Sequence, residues 1–293
     1  MLNGARTYPA EETMHETPVY EIHPPAGWRF LDLKELWAYR ELVYFLTWRD
    51  IKVRYKQTAI GVAWAVLQPL AMMAVFTVLF GRLARMPSEG IPYPLFVFTA
   101  LLPWQLFSRT ISESTNSLVT DQRLITRVYF PRIIVPLATT VAAIADFTIS
   151  AGLLLALMFF YGVTPGAAVI WLPAFVLLLV ITALGVGFWL SALNVEYRDV
   201  MYTIPFINQI WFFLTPIVYP SSLVPDPWQV SYGLNPMAGV VEGFRWALLG
   251  AGKGPSPMLA VSTVIALLLL VSGIVWFHRR EESFVDSLGS GGR

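Results

Sequence analysis

Residues 167–193 read AAVIWLPAFVLLLVITALGVGFWLSAL, without one charged side chain. An α-helix rises 1.5 Å per residue, so about twenty such residues cross the ~30 Å hydrocarbon core of a bilayer while bonding every backbone group internally. Working outward from this stretch, runs of the same character lie at 60–80, 93–107, 133–160, 200–219 and 258–277. We read an all-α membrane protein with six transmembrane helices. The run at 93–107 is the shortest and carries Pro94 and Pro103, and its helix is expected to continue into the polar stretch 108–120.

Composition agrees. Of 293 residues, 56% are hydrophobic and 13% charged, against about 25% charged in soluble domains. A net charge of +1 leaves no basic excess for binding nucleic acid. The absence of cysteine removes disulfide frameworks, thiolate nucleophiles, iron–sulfur clusters and cysteine zinc sites. His15, His23 and His278 lie near the chain ends, so a buried histidine metal site is not expected. With both termini in the cytoplasm, sixteen of the twenty Lys and Arg residues fall on the cytoplasmic side, and Arg82, Arg85, Arg245 and Lys253 fall outside. Basic segments near spans stay in the cytoplasm, which sets that orientation. Residues 1–28 hold Glu11, Glu12, Glu16, Glu21 and four prolines without an apolar core; they read as a flexible cytosolic tail, not a signal peptide.

Residues 29–58 form an amphipathic segment. Leu33, Leu36, Trp37, Tyr44, Trp48, Ile51 and Tyr55 fall within about 120° of one helical face, with Lys34, Arg49, Lys52 and Lys56 beside it. Rings at headgroup depth with lysines toward phosphates suit a helix in the membrane interface; a helix that packs on the rest of the protein is the alternative. Arg40 and Arg54 fall on the apolar side and must snorkel or pair. The stretch DQRLITRVYFPR at 121–132 mixes basic residues with Leu124, Ile125, Val128, Tyr129 and Phe130. Either a short helix presents them to a cytosolic partner, or they lie back on the membrane.

In the fifth run Pro205, Asn208, Gln209, Phe212, Pro216 and Tyr219 share one helical face, and in the first run Trp64 and Gln68 stand one turn apart. Amides and rings in this arrangement line a pathway for a carbohydrate or act as interhelical hydrogen-bonding glue. Ala183, Gly187 and Ser191 mark close helix packing. Asp146 is the one ionisable group well inside a run, so it should face the protein interior and find a partner. No carboxylate pair lies at membrane depth for enzymatic chemistry. The segment 220–257 carries Pro220, Pro225, Pro227 and Pro236, followed by an amphipathic stretch at 237–249. Its Gly252-Lys253-Gly254 is not a phosphate loop, because Ala247 stands where the first glycine belongs and no Ser or Thr follows the lysine. No nucleotide-binding motif appears, so the energy for active transport must enter through a partner or an ion gradient.

Several motifs carry a resemblance: TWRDIKVRYKQT at 47–58 followed by Gly61, Trp64, Leu67, Pro69 and Leu70; Phe130-Pro-Arg132 with Pro136; Asp146-Phe147; NVEYRDV at 194–200; LTPIVYP at 214–220; and Leu234-Asn-Pro236. In this order, from about residue 30 to about 285, the chain resembles the permeases of polysaccharide-exporting ABC transporters, the transmembrane subunits that export O-antigen, teichoic acid, capsule or related lipid-linked glycans. The tail at 1–28 has no counterpart in the shortest members.

The resemblance implies a half-transporter in a bacterial cytoplasmic (inner) membrane, both termini cytoplasmic. Two copies would form the channel and two cytosolic ATP-binding cassette subunits would hold ATP and Mg, with no cofactor on this chain. It implies an interface helix at 29–58 bearing Trp48, Arg49, Lys52, Arg54 and Lys56, and a six-span domain at 59–280. Within that domain it implies a coupling helix at about 121–132 bearing Arg123, Arg127, Tyr129, Phe130 and Arg132. It places Trp64, Gln68, Asn208, Gln209, Phe212 and Tyr219 on the glycan pathway, and an external gate within about 220–257 with Phe244 and Trp246. A cytosolic tail would follow at 281–293. The alternative is a proton-coupled lipid or glycolipid flippase that titrates Asp146.

Overall fold

A computed structural model of the chain describes residues 33–56, 63–252, 254–281 and 284. The expected tails at 1–28 and 281–293 lie outside the described residues except for Glu281 and Phe284, as do residues 29–32, Gly61 and Lys253. Among the described residues every element is helical. α1 (Leu33–Ala38) and α2 (Arg40–Lys56) precede α3 (Ala63–Phe76), which ends in a π-helical turn, Thr77–Leu83. α4 (Tyr93–Thr120), the four-residue α5 (Gln122–Ile125), α6 (Ile134–Phe160), α7 (Leu172–Glu196) and α8 (Val200–Leu214) follow, then α9 (Asp226–Tyr232), α10 (Pro236–Leu249) and α11 (Pro257–Glu281).

Four stretches, Ala63–Leu83, Ile134–Phe160, Ala167–Glu196 and Pro257–Glu281, are long and apolar enough to cross a membrane by themselves. The other two apolar runs are also helical but differ in kind. α4 does continue through 108–120, about 42 Å in all at 1.5 Å per residue, and its second half carries Arg109, Glu113 and several hydroxyls. It is the centre of the fold: Leu95 to Leu102 are buried all round, as a helix apolar on every side requires. α8 has fifteen residues, about 22 Å, short of the ~30 Å hydrocarbon core.

α8 stops at Leu214 because Pro216 disfavours helical backbone at the residue before it, and Thr215 is extended with ψ 140°. This corrects the expected common face in the fifth run, since Pro216 and Tyr219 lie beyond the helix. The carbonyl of Leu214, orphaned at the helix end, accepts from the Tyr232 hydroxyl at 2.8 Å and the Asn235 amide at 3.1 Å. Asn235 also accepts from the backbone N–H of Met237 at 3.1 Å, capping α10, and Gly250 ends that helix in the left-handed conformation, φ 66°.

Small residues set the helix spacing. A Cβ on Gly187 would come within 3.1 Å of Ser114, so the stripe Ala183, Gly187, Ser191 lets α7 approach α4 closely. A second close approach went unread: a Cβ on Gly185 would sit 2.7 Å from the Leu270 nitrogen, and one on Gly273 2.5 Å from the Gly185 oxygen. There α7 and α11 meet backbone to backbone.

Candidate functional site

Two residues flagged by sequence as needing partners find each other. The Arg54 Nη1 lies 2.5 Å from Asp146 Oδ2, joining α2 to α6 across 92 residues. Its Nη2 lies 2.6 Å from Glu113 Oε1 on α4. Arg109, one turn before Glu113, donates to the same carboxylate at 3.1 Å and also reaches Asp146. The Tyr55 hydroxyl donates to Asp146 too, so Tyr55 turns toward the bundle instead of joining the aromatic face. Two positive and two negative charges thus neutralise one another where isolated charges would be prohibitive. Sequence reasoning missed Arg109 and Glu113, and the expectation of no carboxylate pair at membrane depth is corrected, since Glu113 and Asp146 share Arg54 and Arg109; opposite charges at i and i+4 in a helix that leaves an apolar run were the available signal.

Beside this cluster α3, α4, α6 and α8 border an open cavity of about 390 Å³. Gln68 and Met72 of α3, Trp104, Gln105, Ser108 and Ser112 of α4, Phe147 of α6 and Phe212 of α8 line it, and Arg109, Glu113 and Asp146 form its charged wall. The Phe212 ring stacks on Phe76 and meets Trp104 edge-on, both at 5.5 Å between centroids. Of the six residues expected along a pathway, Gln68 and Phe212 line the cavity. Asn208 is buried behind it, its amide donating to the Ser112 hydroxyl at 3.1 Å and to the Ser108 carbonyl at 3.4 Å. Trp64, 57% exposed, and Gln209 face outward from the chain. Tyr219 lies in the turn after α8, where its hydroxyl meets that of Tyr232 at 2.8 Å. Burial and this contact push the Tyr232 phenol well above its ordinary pKa. The α4 contribution was unread because its first half looks uniformly apolar.

On the side toward the termini, the segment 121–132 is one short helix and a turn. Arg123, Arg127, Val128 and Tyr129 are exposed. Phe130, expected among the displayed side chains, is 4% exposed and packs with Leu46, Ile134, Phe277 and Phe284. The reason is its place before Pro131 and the start of α6, where it turns back under the bundle. The Arg132 backbone N–H donates to Glu281 at the end of α11 at 2.8 Å. Asp121 accepts both terminal nitrogens of Arg49, at 2.8 and 2.7 Å, and that bond raises the Arg49 pKa.

α2 has two faces. Leu46 and Thr47 are buried against the bundle, and the Thr47 hydroxyl donates to the Ala138 carbonyl at 3.2 Å. Tyr44, Phe45, Trp48 and Val53 are exposed, as is Trp37 of α1. Lys52 lies over the Trp48 ring at 5.4 Å, and Lys56 is exposed at the helix end.

At the opposite end α10 is nearly enclosed. Phe244 is buried, edge-on to Phe147 at 6.2 Å, and Trp246 is half-buried, edge-on to Phe175 at 6.3 Å. Arg245, read from sequence as a loop charge, is 1% exposed. It donates to the Ile217 carbonyl at 2.7 Å, to the Tyr219 carbonyl at 3.4 Å and to Glu242 at 3.2 Å, with its guanidinium 3.6 Å from the centre of the Phe96 ring.

The chain is similar to known proteins over most of its length. Residues 41–249 match a family described as ABC-2 type transporter. The O-antigen export system permease protein RfbA of Myxococcus xanthus is 32% identical over 87% of this chain and 98% of its own length. A protein of the same name from Klebsiella pneumoniae is 27% identical over 85% and 95%. The polysialic acid transport protein KpsM of Escherichia coli is 23% identical over 82% and 93%.

Proposed function

The chain belongs to the ABC-2 type transporter family, and from that premise we propose that it is the transmembrane subunit of an ATP-driven exporter carrying a lipid-linked polysaccharide across the cytoplasmic membrane. The observation that carries the substrate class is the likeness, over nearly their whole length, to permeases named for O-antigen export. Two copies form the channel, and two cytosolic ATP-binding cassette subunits, which hold ATP and Mg, drive it. The chain crosses the membrane six times with both termini in the cytoplasm, α8 being completed by the turn Thr215–Pro220.

The cavity beside α3 and α8 suits such a cargo. Rings stack on the apolar faces of sugars, and amides and hydroxyls bond their hydroxyl groups. A translocated polymer must leave each contact as readily as it enters, which many weak contacts permit. Gln68 and Phe212 act there together with Trp104 and Gln105. Trp64 and Gln209 face the second copy across the channel, Asn208 holds α8 to α4, and Tyr219 shapes the exit. Arg123, Arg127 and Tyr129 dock the ATPase, while Phe130 and Arg132 anchor that segment. Trp48, Arg49, Lys52, Arg54 and Lys56 belong to the interface helix, whose aromatic face meets lipid headgroups. α10, with Phe244 and Trp246, backs the external gate.

The test is a mild-detergent pull-down of the tagged chain from native membranes, with a vanadate-sensitive ATPase assay and measurement of surface polysaccharide after deletion of the chain. A co-purifying ATP-binding cassette subunit and loss of one polysaccharide are expected; a clean preparation without an ATPase, or unchanged polysaccharides, overturns the assignment. Replacing Arg127 and Tyr129 together by Ala should uncouple ATP hydrolysis from export without preventing insertion.

A further inference from the structure

α2 is tied to the bundle at three heights. Arg49 grips Asp121 at the end of α4 with two bonds, the Thr47 hydroxyl holds the Ala138 carbonyl at 3.2 Å, and Arg54 bridges Glu113 and Asp146. Thr47 with Ala138 and Arg54 with Asp146 keep the same order along both helices, so α2 runs beside the first half of α6 in the same direction. Arg49 and Asp121 also fasten it to the head of the segment 121–132. α3 and α8 are held differently. α3 buries Pro69 alone, and α8 faces the bundle through Ile204, Asn208 and Phe212. Parting α2 from α6 would strand the part-buried Arg54 guanidinium and leave Glu113 and Asp146 with Arg109 alone, whereas parting α3 from α8 mainly separates rings such as Phe76 and Phe212.

From this contrast we infer that Arg54, assisted by Arg49, is a positioning residue for transport: it welds α2 to α4 and α6. Partner docking at 121–132 then swings one rigid body, and the pathway opens at α3 and α8. Arg54 is not among the residues lining the cavity, so it acts through Glu113 and Asp146 and not by touching cargo. The inference rests on the exporter role proposed above.

The chain has no cysteine, so introduced thiols are its only ones. Spin labels at Val53→Cys and Val141→Cys, both exposed positions, should report one narrow distance in the purified chain, unchanged when the ATPase complex is trapped with ATP and vanadate. Labels at Val78→Cys and Ile210→Cys should shift on trapping. A broad or moving Val53–Val141 distance overturns the weld, and it does so even if no polysaccharide is exported, a result that would sink the exporter role alone. In the complex, Arg54→Gln should lower polysaccharide exported per ATP about tenfold, within the range of ordinary coupling effects. A short thiol cross-link between Thr47→Cys and Ala138→Cys should leave export intact in the otherwise natural chain and restore coupling in Arg54→Gln. Loss of export on cross-linking the natural chain, or no restoration in a folded Arg54→Gln chain, shows that Arg54 is not the weld.

Discussion

The protein buries charge twice, and it solves the problem differently each time. At membrane depth Arg54, Arg109, Glu113 and Asp146 come from three helices and cancel as charges. Toward the other end Arg245 and Glu242 share one helix, and the arginine turns its terminal nitrogens to the Ile217 and Tyr219 carbonyls and lies against a ring, while its Nε has no hydrogen-bond partner. The first arrangement joins elements distant in sequence; the second holds one turn in shape. Four-way pairing leaves options when one member is lost, and the cavity gives Arg109 access to water. Arg245 has no such exit.

The sharpest way to break this contrast is Arg245→Leu. It leaves Glu242 without its ionic partner and two carbonyls without a donor, a loss of about 3–5 kcal/mol, large against a stability of roughly 5–15 kcal/mol. The chain should fail to accumulate in membranes; a melting midpoint in detergent within two or three degrees of the parent would refute it. Asp146→Ala comes next. It should cost about 1–3 kcal/mol, and Arg54→Ala with Asp146→Ala should cost clearly less than the sum of the two; simple additivity in heated size-exclusion profiles would mean the cluster is not a unit. Gln68→Ala with Gln105→Ala should change stability by less than about 0.5 kcal/mol yet cut export several-fold, and equal export would remove the cavity from the pathway. The smallest effect belongs to Arg49 and Asp121, which are partly exposed: a double-mutant cycle should give about 0.5–1 kcal/mol, shrinking at high salt.

What the sequence made legible follows the same division. The apolar runs reported themselves because hydropathy is a local property, and Asp146 and Arg54 each announced a need that the other helps to meet. Their pairing required α2 to lie along α6, which no periodicity states. Arg245 misled because basic residues between spans are ordinarily solvated; its burial depends on carbonyls freed where Pro216 ends α8. Phe130 and Phe212 read alike as apolar residues with a task, but one is packed under the bundle and the other lines a cavity, and tertiary contacts alone separate them.

The sum of the charges at membrane depth has an electrical consequence. A single elementary charge carried across a membrane potential of 100 mV gains or loses about 2.3 kcal/mol. Arg54, Arg109, Glu113 and Asp146 together carry none, so their joint displacement moves no gating charge. Any voltage dependence of export, compared between energised and depolarised vesicles, should therefore follow the charge of the cargo and not the movement of this cluster.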